Sequence, residues 1–569
     1  MPISPLATVS IFSATLSYAL TRIGDSTYPS TFYQVYGISL LLWTIYRFIL
    51  YPNVFSPLRH LPTVDGKSWW SRQSLRLLSE PKGVPQSDWV EKVPHQRHGL
   101  IRFRTVFNQE RVIVASPEAL AEVLTTKSYH FRKPQMVVDA LKPIAGLGLL
   151  LSEGELHKQQ RKTLLPAFAY RHIKDLYGLM WDISSHAVTS LAEAVATESK
   201  ADQRPYTVNI MVWASKVTLD IIFVGGMGQS VDSVREEGRD YMALRQAYKT
   251  VFRKNRQDLI LFILRIWVLP SWLLPYVPLK RNAELRNTAK TLRDICRHLI
   301  RQKKIDLESE VADKREKDIL TVALNYGGFT EDELVEQLLT FMAAGHETTA
   351  TALTWAIYVL SKSPEIQTKL RAEIRTHLPN PSSESPKSEE LAAIIDNNMP
   401  YLQAVCLEVL RYYAPVPTTV REAVMDTSIN GVPIPAGTQL AICPRATNRD
   451  FSLWGDDAGV FNPDRYLSQP KRTQRDPLDQ DGHDESSNKS GGTRSNYATL
   501  TFLHGPRSCI GQSFSKAELA ILLATLVGRF EFTLADESLK DEANLKLRSG
   551  ATNRPVNGLD VKVRLVEGW

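Results

Sequence analysis

Cysteine is scarce in this 569-residue sequence: the four that it has, Cys296, Cys406, Cys443 and Cys509, lie far apart. Cysteines so few and so scattered exclude a disulfide framework and predict a working domain that faces a reducing compartment. The sequence also lacks any recognisable nucleic-acid-binding motif, so we expect no nucleic acid partner. It lacks a Gly-x-Gly-x-x-Gly dinucleotide motif and any other flavin site, so electrons for a redox reaction must come from outside the chain.

Basic residues are absent from the first 21 positions, which excludes the positively charged start of a cleaved signal peptide. The stretch 31–51 carries one charge, Arg47, close to one end, and is long enough to cross a bilayer as a helix. A weaker apolar stretch at 5–20 is a candidate second span, and the sequence leaves open whether there are one or two. Four basic residues between 59 and 76 follow, so the positive-inside rule predicts a cytosolic main domain.

Composition divides the chain into an anchor, a linker and one large domain. Residues 1–52 are expected to form the membrane anchor. Three prolines between 52 and 62 are expected to end its helix, because proline cannot continue one. Residues 53–94 then form a stiff linker, and residues 95–569 form the main domain. A net charge of +7, spread along the chain, suits a protein that faces an anionic membrane.

Local patterns predict a mainly α fold with small β-sheets, of the α+β class. Residues 100–114 alternate apolar and polar on both sides of Asn108–Glu110, which predicts a β-hairpin. Ser116-Pro117-Glu118 predicts a helix start. Thr330-Glu331-Asp332-Glu333 has the capping-box pattern and leads into a helix of about 30 residues, unusually long for a globular protein.

Two other segments differ from their surroundings. The stretch 259–279 is rich in Leu, Ile and Trp but holds Arg265 and three prolines, so we expect a lipid-dipping or channel-lining segment rather than a span. Residues 468–496 contain no large apolar residue except Leu478. Such a segment cannot bury enough surface to order itself, and we expect a flexible insertion.

The most informative motif runs from Phe502 to Gly511 and reads Phe-Leu-His-Gly-Pro-Arg-Ser-Cys-Ile-Gly. A thiolate ligand must be kept dry and deprotonated, and Gly505 and Gly511 would let backbone N–H groups approach the sulfur of Cys509. The motif resembles the Phe-x-x-Gly-x-Arg-x-Cys-x-Gly loop of the cytochrome P-450 family at all five fixed positions, a match with chance odds on the order of one in ten thousand. The alternative is that Cys509 is a small buried hydrophobe, the usual fate of a lone cysteine.

The resemblance implies a haem b cofactor with Cys509 as the axial iron ligand, in an enzyme that inserts one oxygen atom from O2 into its substrate. It implies that Phe502 shields the sulfur and that Arg507 pairs with a haem propionate. Electrons would come from NADPH only through a flavoprotein reductase. The chain looks most like microsomal fungal members that modify secondary metabolites, which implies the endoplasmic reticulum membrane, a cytosolic catalytic domain and contact with membrane lipid.

Glu408-Val409-Leu410-Arg411 matches the family's Glu-x-x-Arg helix. Alone this signal is weak, because Glu and Arg three residues apart usually form a solvated surface pair. In the family a second arginine, here Arg465, joins them in a buried network. A buried set of charges is tolerated only when every member is paired, so we expect a structural role on the haem-loop side of the fold.

Within the long helix, residues 344–349 read Ala-Gly-His-Glu-Thr-Thr and resemble the family's oxygen-binding segment. The small Ala344 and Gly345 would leave room for dioxygen, and Thr348 lies one turn after Ala344 on the same face. Glu347 could relay protons. Without such a role this polar patch would cost about 2–7 kcal/mol for each unpaired buried group. Glu347 and Thr348 are therefore the predicted catalytic residues.

Haem propionates need cations, and two further arginines resemble the family's ligands. Residues 154–162 look like its Trp-x-x-x-Arg helix, which assigns Arg161, although His157 stands where Trp is usual. Arg421 follows Pro-Val-Pro-Thr-Thr and resembles another propionate arginine. For each, an ordinary solvated surface charge is the alternative.

Four segments are predicted to line the substrate pocket: 134–150, 341–345, 416–419 and 548–552. They are mostly apolar or small, which implies a lipophilic substrate such as a terpenoid, polyketide, steroid or aromatic alkaloid. The sequence leaves its identity open. The alternatives to a monooxygenase are a haem-thiolate isomerase or peroxide lyase, and a catalytically silent haem-binding lipid carrier. Dependence on O2 would distinguish a monooxygenase from an isomerase or lyase. NADPH consumption would distinguish a monooxygenase from a lipid carrier.

Overall fold

The computed structural model describes residues 5–22, 27–64, 66, 72–95, 97–202, 205–229, 246–247, 250, 257, 260–261, 264, 273–308, 318–381, 385–467 and 491–569. Helices dominate these ranges. The α-helices used below, numbered in chain order, are α1 (Pro5–Thr21), α2 (Tyr28–Ile45), α3 (Ser74–Ser79), α4 (Val84–Lys92), α5 (Pro117–Ala121), α6 (Gln135–Ala145), α7 (Gly154–Leu164), α8 (Tyr170–Asp175), α9 (Tyr177–Asp202), α10 (Ile210–Met227), α11 (Lys280–Glu308), α12 (Ile319–Tyr326), α13 (Glu331–Lys362), α14 (Pro364–His377), α15 (Ser388–Ala393), α16 (Pro400–Tyr412), α17 (Pro444–Thr447), α18 (Phe451–Trp454) and α19 (Gln512–Arg529).

The strands are short and are numbered in the same way. They are β1 (Thr63–Val64), β2 (Leu100–Arg104), β3 (Glu110–Val114), β4 (Phe131–Arg132), β5 (Tyr206–Asn209), β6 (Thr419–Ala423), β7 (Thr427–Ile429), β8 (Val432–Ile434), β9 (Gln439–Ile442), β10 (Phe530–Leu534), β11 (Leu547–Ser549), β12 (Asn553–Pro555) and β13 (Asp560–Leu565). The largest sheet has the order β1-β2-β3-β9-β6-β4, a second has β10-β13-β5, and β7-β8 and β11-β12 form separate pairs. The mainly α fold with small sheets is confirmed.

The predicted hairpin is the antiparallel pair β2 and β3, in which Leu100 faces Val114. The predicted helix start at Ser116 is also present, since its hydroxyl accepts a hydrogen bond from the backbone N–H of Ala119 at the start of α5. Segment 53–94, which was expected to be a linker, contributes β1 to the large sheet, where Thr63 faces Arg102.

Helix α13 runs through the middle of the main domain. Its capping box is formed as predicted: Glu333 N–H donates to the Thr330 hydroxyl over 3.3 Å, and the Glu333 carboxylate accepts from Thr330 N–H over 2.8 Å. At 32 residues the helix is about 48 Å long. It packs against α10, α11 and α19 in the largest hydrophobic cluster, where Trp181 and Tyr358 are fully buried. This packing fixes α13 opposite the Cys509 loop, which leads directly into α19.

The expectation that Pro52 ends the anchor helix is wrong. Helix α2 continues as a π-helix over Tyr46–Phe55, giving 28 helical residues that include Pro52. Proline lacks the N–H that an α-helical ladder uses, and the helix passes Pro52 in this π-helical segment rather than in an α-helical one. By length and composition, Tyr28–Phe55 could cross a membrane, with 6% of its most apolar window buried in the protein. Helix α10 passes the same test but is 72% buried, as expected of a core helix.

Two predicted segments lie mainly outside the described residues. Of the stretch 259–279, the described part includes a 3-10 turn at Leu274–Tyr276. Of the predicted insertion 468–496, residues 468–490 are not described. The predictions for these two segments therefore remain predictions.

Candidate functional site

A cavity of about 340 Å³ is lined by both α13 and the loop that precedes α19. Phe341, Ala344 and Thr348 face it from α13, and Phe502 and Cys509 face it from the loop. Its volume is in the range of ordinary small-molecule sites. The cavity therefore joins the predicted oxygen-binding segment to the predicted thiolate ligand.

The loop around Cys509 is folded back on itself. Cys509 N–H donates to Phe502 O over 2.8 Å, and Ser508 N–H donates to Gly505 O over 3.0 Å. Gly505 has a φ of +73°, and a Cβ at this position would lie 2.2 Å from the carbonyl oxygen of Leu124. Glycine is therefore required at 505 because the loop approaches neighbouring backbone.

The Cys509 side chain is exposed and faces the cavity. Burial raises the pKa of its thiol, while a hydrogen bond from Gly511 N–H and the charge of Arg161 act to lower that pKa. The predicted approach of a backbone N–H to the sulfur is thus made by Gly511. The two opposing groups favour the thiolate that a metal ligand requires.

Five nitrogen side chains converge on one side of the cavity, and these are Lys133, His157, Arg161, Arg421 and Arg507. Burial and the neighbouring Arg421 lower the pKa of Lys133 to about 7. Burial and the neighbouring Arg507 lower the pKa of His157 to about 4, so this imidazole is neutral at neutral pH. Burial likewise lowers the pKa of Arg421 to about 10. Cations crowded together in this way require a bound anion.

Nearby carboxylates supply only part of the negative charge that these cations need. Glu153 forms ion pairs with Arg507 and, over 3.6 Å, with Lys133. The Nε atom of Arg507 is buried and has no acceptor among the described residues. Within the described part of the chain, no group of three or more His, Cys, Asp or Glu side chains could hold a metal ion. The donor set therefore fits an iron held in a dianionic macrocycle, since Cys509 would supply a thiolate for the iron and the cations would pair with two carboxylates.

Two partners of this cluster were missed by the sequence analysis. Lys133 belongs to no motif, and only the fold brings it to Arg421. The hydroxyl of Tyr129 lies 3.2 Å from Nδ1 of His157. The ring of Tyr129 also lies 4.9 Å from the guanidinium carbon of Arg507. Tyr129 thus orients the histidine that replaces the usual tryptophan.

Helix α13 presents a narrow face to the cavity. The hydroxyl of Thr348 donates to Ala344 O over 2.8 Å and lies on the cavity wall. Gly345 lines the cavity and also lies close to α10, since a Cβ there would lie 2.8 Å from Cγ1 of Ile222. Close contact of the two helices therefore requires glycine at this position.

Glu347 is not among the described residues that line the cavity. The Glu347 carboxylate is buried and accepts a hydrogen bond from the Thr552 hydroxyl over 2.8 Å. It lies 3.3 Å from Nη1 of Arg554.

The predicted pocket walls are therefore partly wrong. Segments 134–150, 341–345 and 416–419 contribute side chains to the cavity, whereas none of the described residues in 548–552 does so. The reason is that the β11–β12 turn is directed to Glu347 on the side of α13 that faces away from the cavity.

Glu408, Arg411 and Arg465 form the expected buried network. Arg411 donates to both oxygens of Glu408 over 2.7 Å, and Arg465 Nε lies 3.2 Å from Glu408 Oε1. Glu408 and Arg411 are completely buried. Asp457, which the sequence analysis missed, pairs with Arg465 over 2.9 Å.

Asn448 connects this network to the cysteine loop. Its carbonyl oxygen accepts from Arg411 over 2.8 Å. Its side chain accepts from Leu500 N–H over 2.8 Å and donates to the Thr501 hydroxyl over 2.8 Å. The charge network thus positions the chain just before Phe502.

A sequence model of the cytochrome P450 family matches residues 92–558. The chain belongs to the cytochrome P450 family. It is 48% identical over 555 residues to cytochrome P450 monooxygenase FUM15 of Gibberella moniliformis, covering 94% of this chain and 92% of that protein. It is 44% identical over 590 residues to cytochrome P450 monooxygenase ALT8 of Alternaria alternata, covering 96% and 97%. It is 40% identical over 526 residues to cytochrome P450 monooxygenase sphH of Aspergillus fumigatus, covering 92% and 91%.

Membership of the P450 family accounts for the composition of the cavity. The family binds haem b through a thiolate and receives NADPH electrons from a reductase partner. A small-molecule substrate follows from the same membership. The cavity has one exposed thiol, a cationic edge and an apolar helix face, which are the elements that such a cofactor needs.

Proposed function

We propose that this P450 inserts one oxygen atom from O2 into a lipophilic small molecule bound against the 344–348 face of α13. The observation that carries the proposal is the meeting of Cys509, the cationic cluster and Thr348 in one cavity. Haem b, when bound, supplies the oxygen chemistry, because a thiolate ligand donates electron density and favours O–O cleavage. Electrons come from NADPH through a flavoprotein reductase.

Cys509 is the proposed axial ligand. The Gly511 N–H and the Arg161 charge support its thiolate form against the effect of burial. Phe502, also on the cavity wall, covers the loop side. Arg161 additionally donates to Ser508 O over 2.8 Å and to the Ser508 hydroxyl over 3.1 Å. We therefore assign to Arg161 both a charge for the cofactor and the positioning of the loop.

The cofactor carboxylates are assigned to the cationic edge of the cavity. Arg421 and Arg507 are the main proposed partners, and Lys133 adds a third cation. His157 takes part as a neutral donor, since Tyr129 contacts its Nδ1 and leaves Nε2 for the cavity. A bound dianion would offset the burial and the mutual repulsion that lower the pKa of Arg421 and of Lys133.

Proton delivery is assigned to α13. Thr348 holds a proton on its hydroxyl at the cavity wall, where it can donate to the reacting oxygen once its bond to Ala344 O opens. Glu347 passes protons through its Oε1 from the side of the β11–β12 hairpin, where Thr552 and Arg554 hold it. In this proposal Thr348 touches the reactants and Glu347 acts through it.

The substrate is proposed to be lipophilic because the walls beyond the cationic edge are apolar. They include Leu149, Phe341, Ala352 and Val416. Such walls bind through buried apolar area, with few groups that could recognise a charge. A fungal secondary metabolite of the terpenoid, polyketide, steroid or aromatic alkaloid classes fits this description.

The proposed location is the endoplasmic reticulum membrane, with the catalytic domain, here taken as 95–569, on the cytosolic side. The anchor within 1–52 has Tyr and Trp side chains suited to the interface, and basic residues follow it. Membrane lipid is then a direct partner of the anchor. Co-fractionation of the full chain with a reticulum marker tests this location, and recovery with soluble proteins would contradict it.

The activity is tested with the full-length holoenzyme and its reductase in microsomes, against metabolite extracts of the producing organism. We expect products that are one oxygen atom heavier, formed only with NADPH and O2, with label transferred from 18O2. Products formed without O2 would favour an isomerase or lyase. Tight binding without NADPH consumption would favour a lipid carrier.

A further inference from the structure

The first two helices form a hairpin of matched lengths. Helices α1 and α2 have 17 and 18 residues and pack together along the chain's N-terminal region. Because only residues 22–27 connect them, the packed helices must run antiparallel. At 1.5 Å per residue they are about 25 and 27 Å long, close to the roughly 27 Å hydrocarbon thickness of the reticulum bilayer.

The buried residues described in the two helices are small and polar. Ser13 and Ser17, one turn apart on α1, are completely buried, and Thr31 on α2 is 7% exposed. Both serine hydroxyls lack a hydrogen-bond partner within the described part of the chain. Small residues at such positions let helix backbones approach closely, as in membrane helix pairs.

The outer surface of the hairpin is apolar. On α1, Ile11 and Phe12 are 57% and 56% exposed, and on α2, Tyr33 and Leu42 are 73% and 61% exposed. Neither helix contains a charged residue. A helix that lies in the interface needs a charged or strongly polar face, which α1 lacks. Lipid is therefore the occupant that fits this surface.

The π-helical continuation of α2, Tyr46–Phe55, contacts the catalytic domain. Asn108 Nδ2 donates to Phe48 O over 2.7 Å, and the rings of Phe48 and Phe107 are 5.4 Å apart. Arg102 donates to Pro52 O over 3.2 Å. Phe48 and Pro52 thus contact the catalytic domain, and we assign Tyr28–Ile45 to the bilayer. This length equals that of α1 within one residue.

We propose that α1 and α2 both cross the bilayer, so that the N-terminus and the catalytic domain lie on the same, cytosolic side. The inference rests on the proposed membrane anchoring and adds the second span. The connection 22–27 then lies in the lumen. It carries Arg22 and Asp25, whose charges cancel, whereas the residues after α2 are basic, in keeping with the positive-inside rule.

The test is glycosylation mapping of the full-length chain in reticulum microsomes. One variant carries an Asn-x-Ser acceptor on a spacer before Met1, and another carries it on a spacer inserted between residues 24 and 25. The chain has its own reporter for the catalytic side, since Asn488-Lys489-Ser490 is an acceptor sequence. Glycosylation is read as a mobility shift that endoglycosidase removes, and alkaline extraction reports membrane integration.

Two spans predict modification of the inserted acceptor only, in protein that resists alkaline extraction. Modification of the acceptor before Met1 would mean a single span with a lumenal N-terminus, and would overturn this inference while leaving the anchor intact. An unmodified insert in alkali-resistant protein would mean a hairpin that does not cross, and would also overturn it. Extraction by alkali would overturn the proposed anchoring itself.

A matched variant tests the role of α1. Replacing Ile11 and Phe12 by aspartate places two charges on the surface assigned to lipid and should keep α1 out of the bilayer. The acceptor before Met1 should then become modified. Phe12→Leu, which keeps the surface apolar, should leave it unmodified. No difference between these variants would contradict a spanning α1.

Discussion

Thr552 donates its hydroxyl proton to Oε1 of Glu347 across 2.8 Å, although the two residues are 205 positions apart. The β11–β12 hairpin that carries Thr552 also brings Arg554 to the same oxygen. The carboxylate proposed to pass protons is therefore held by an element that the long helix itself does not contain.

Glu347→Gln should slow product formation by about 100- to 10,000-fold, the usual contribution of one proton relay. Arg554→Gln removes the ion pair that holds the carboxylate and should slow it by a smaller factor. Arg564→Gln is the control, because Arg564 pairs with Glu531 at the surface rather than with Glu347. The measurements are turnover and its solvent isotope effect. Normal turnover in Glu347→Gln would mean that the contacts of Glu347 with Thr552 and Arg554 have only a structural role.

Thr348→Ala should keep the ferrous-CO spectrum and the substrate-induced spin shift, because the hydroxyl contacts neither the thiolate nor the cationic edge. It should divert reducing equivalents to hydrogen peroxide, since a proton donor at the cavity wall is lost. Thr348→Ser, which keeps the hydroxyl, should restore coupling. The ratio of NADPH consumed to product formed decides this, and an unchanged ratio in the alanine variant would rule out a role in oxygen activation.

Glu408→Ala should cost about 3–5 kcal/mol, because it leaves Arg411 and Arg465 buried without their carboxylate. The protein should be recovered as apoprotein or aggregate, since Asn448 transmits the disturbance to the cysteine loop. Glu531→Ala, which breaks the exposed pair with Arg564, is the control and should keep its haem. Haem content per polypeptide is the measurement. A normal value in Glu408→Ala would refute the structural role.

Burial raises the pKa of Glu518 well above its ordinary value. The unfolded chain releases this proton at lower pH than the folded protein, so the free energy of unfolding falls as pH rises above about 4.5. Glu518→Gln cannot titrate and should therefore unfold at a higher temperature than the parent at pH 8. The difference in unfolding temperature between the two proteins should disappear as pH falls towards about 4.5.

The control for this titration is Glu537→Gln, at an exposed position paired with Lys540. It should show no such pH-dependent gap. Thermal unfolding of the holoenzyme between pH 5 and 8 is the measurement. A difference between Glu518→Gln and the parent that stays constant with pH would mean that Glu518 titrates alike in the folded and unfolded chains.

Features encoded within a few residues were predictable from the sequence. The capping box at Thr330, the hairpin at 100–114 and the loop from Phe502 to Gly511 each depend on short-range spacing. The Glu408 network was also predictable, because its members occupy recognisable motifs. In each case a motif in the sequence indicates which backbone groups form hydrogen bonds or which charged side chains form pairs.

Features set by distant contacts were not predictable. The orientation of Glu347 depends on Thr552, and the need for glycine at 345 depends on Ile222 of another helix. Lys133 joins the cationic cluster only because the fold brings it to Arg421. A single sequence holds no local signal for such pairings.

The most direct test of the account is the ferrous-CO spectrum of Cys509→Ala beside that of Cys406→Ala. Both variants remove one thiol, but only Cys509 faces the cavity, whereas Cys406 is buried on α16. The account predicts that Cys406→Ala keeps the red-shifted Soret band of thiolate-ligated haem and that Cys509→Ala loses it. Retention of that band in Cys509→Ala would contradict the assignment of Cys509 as the axial ligand.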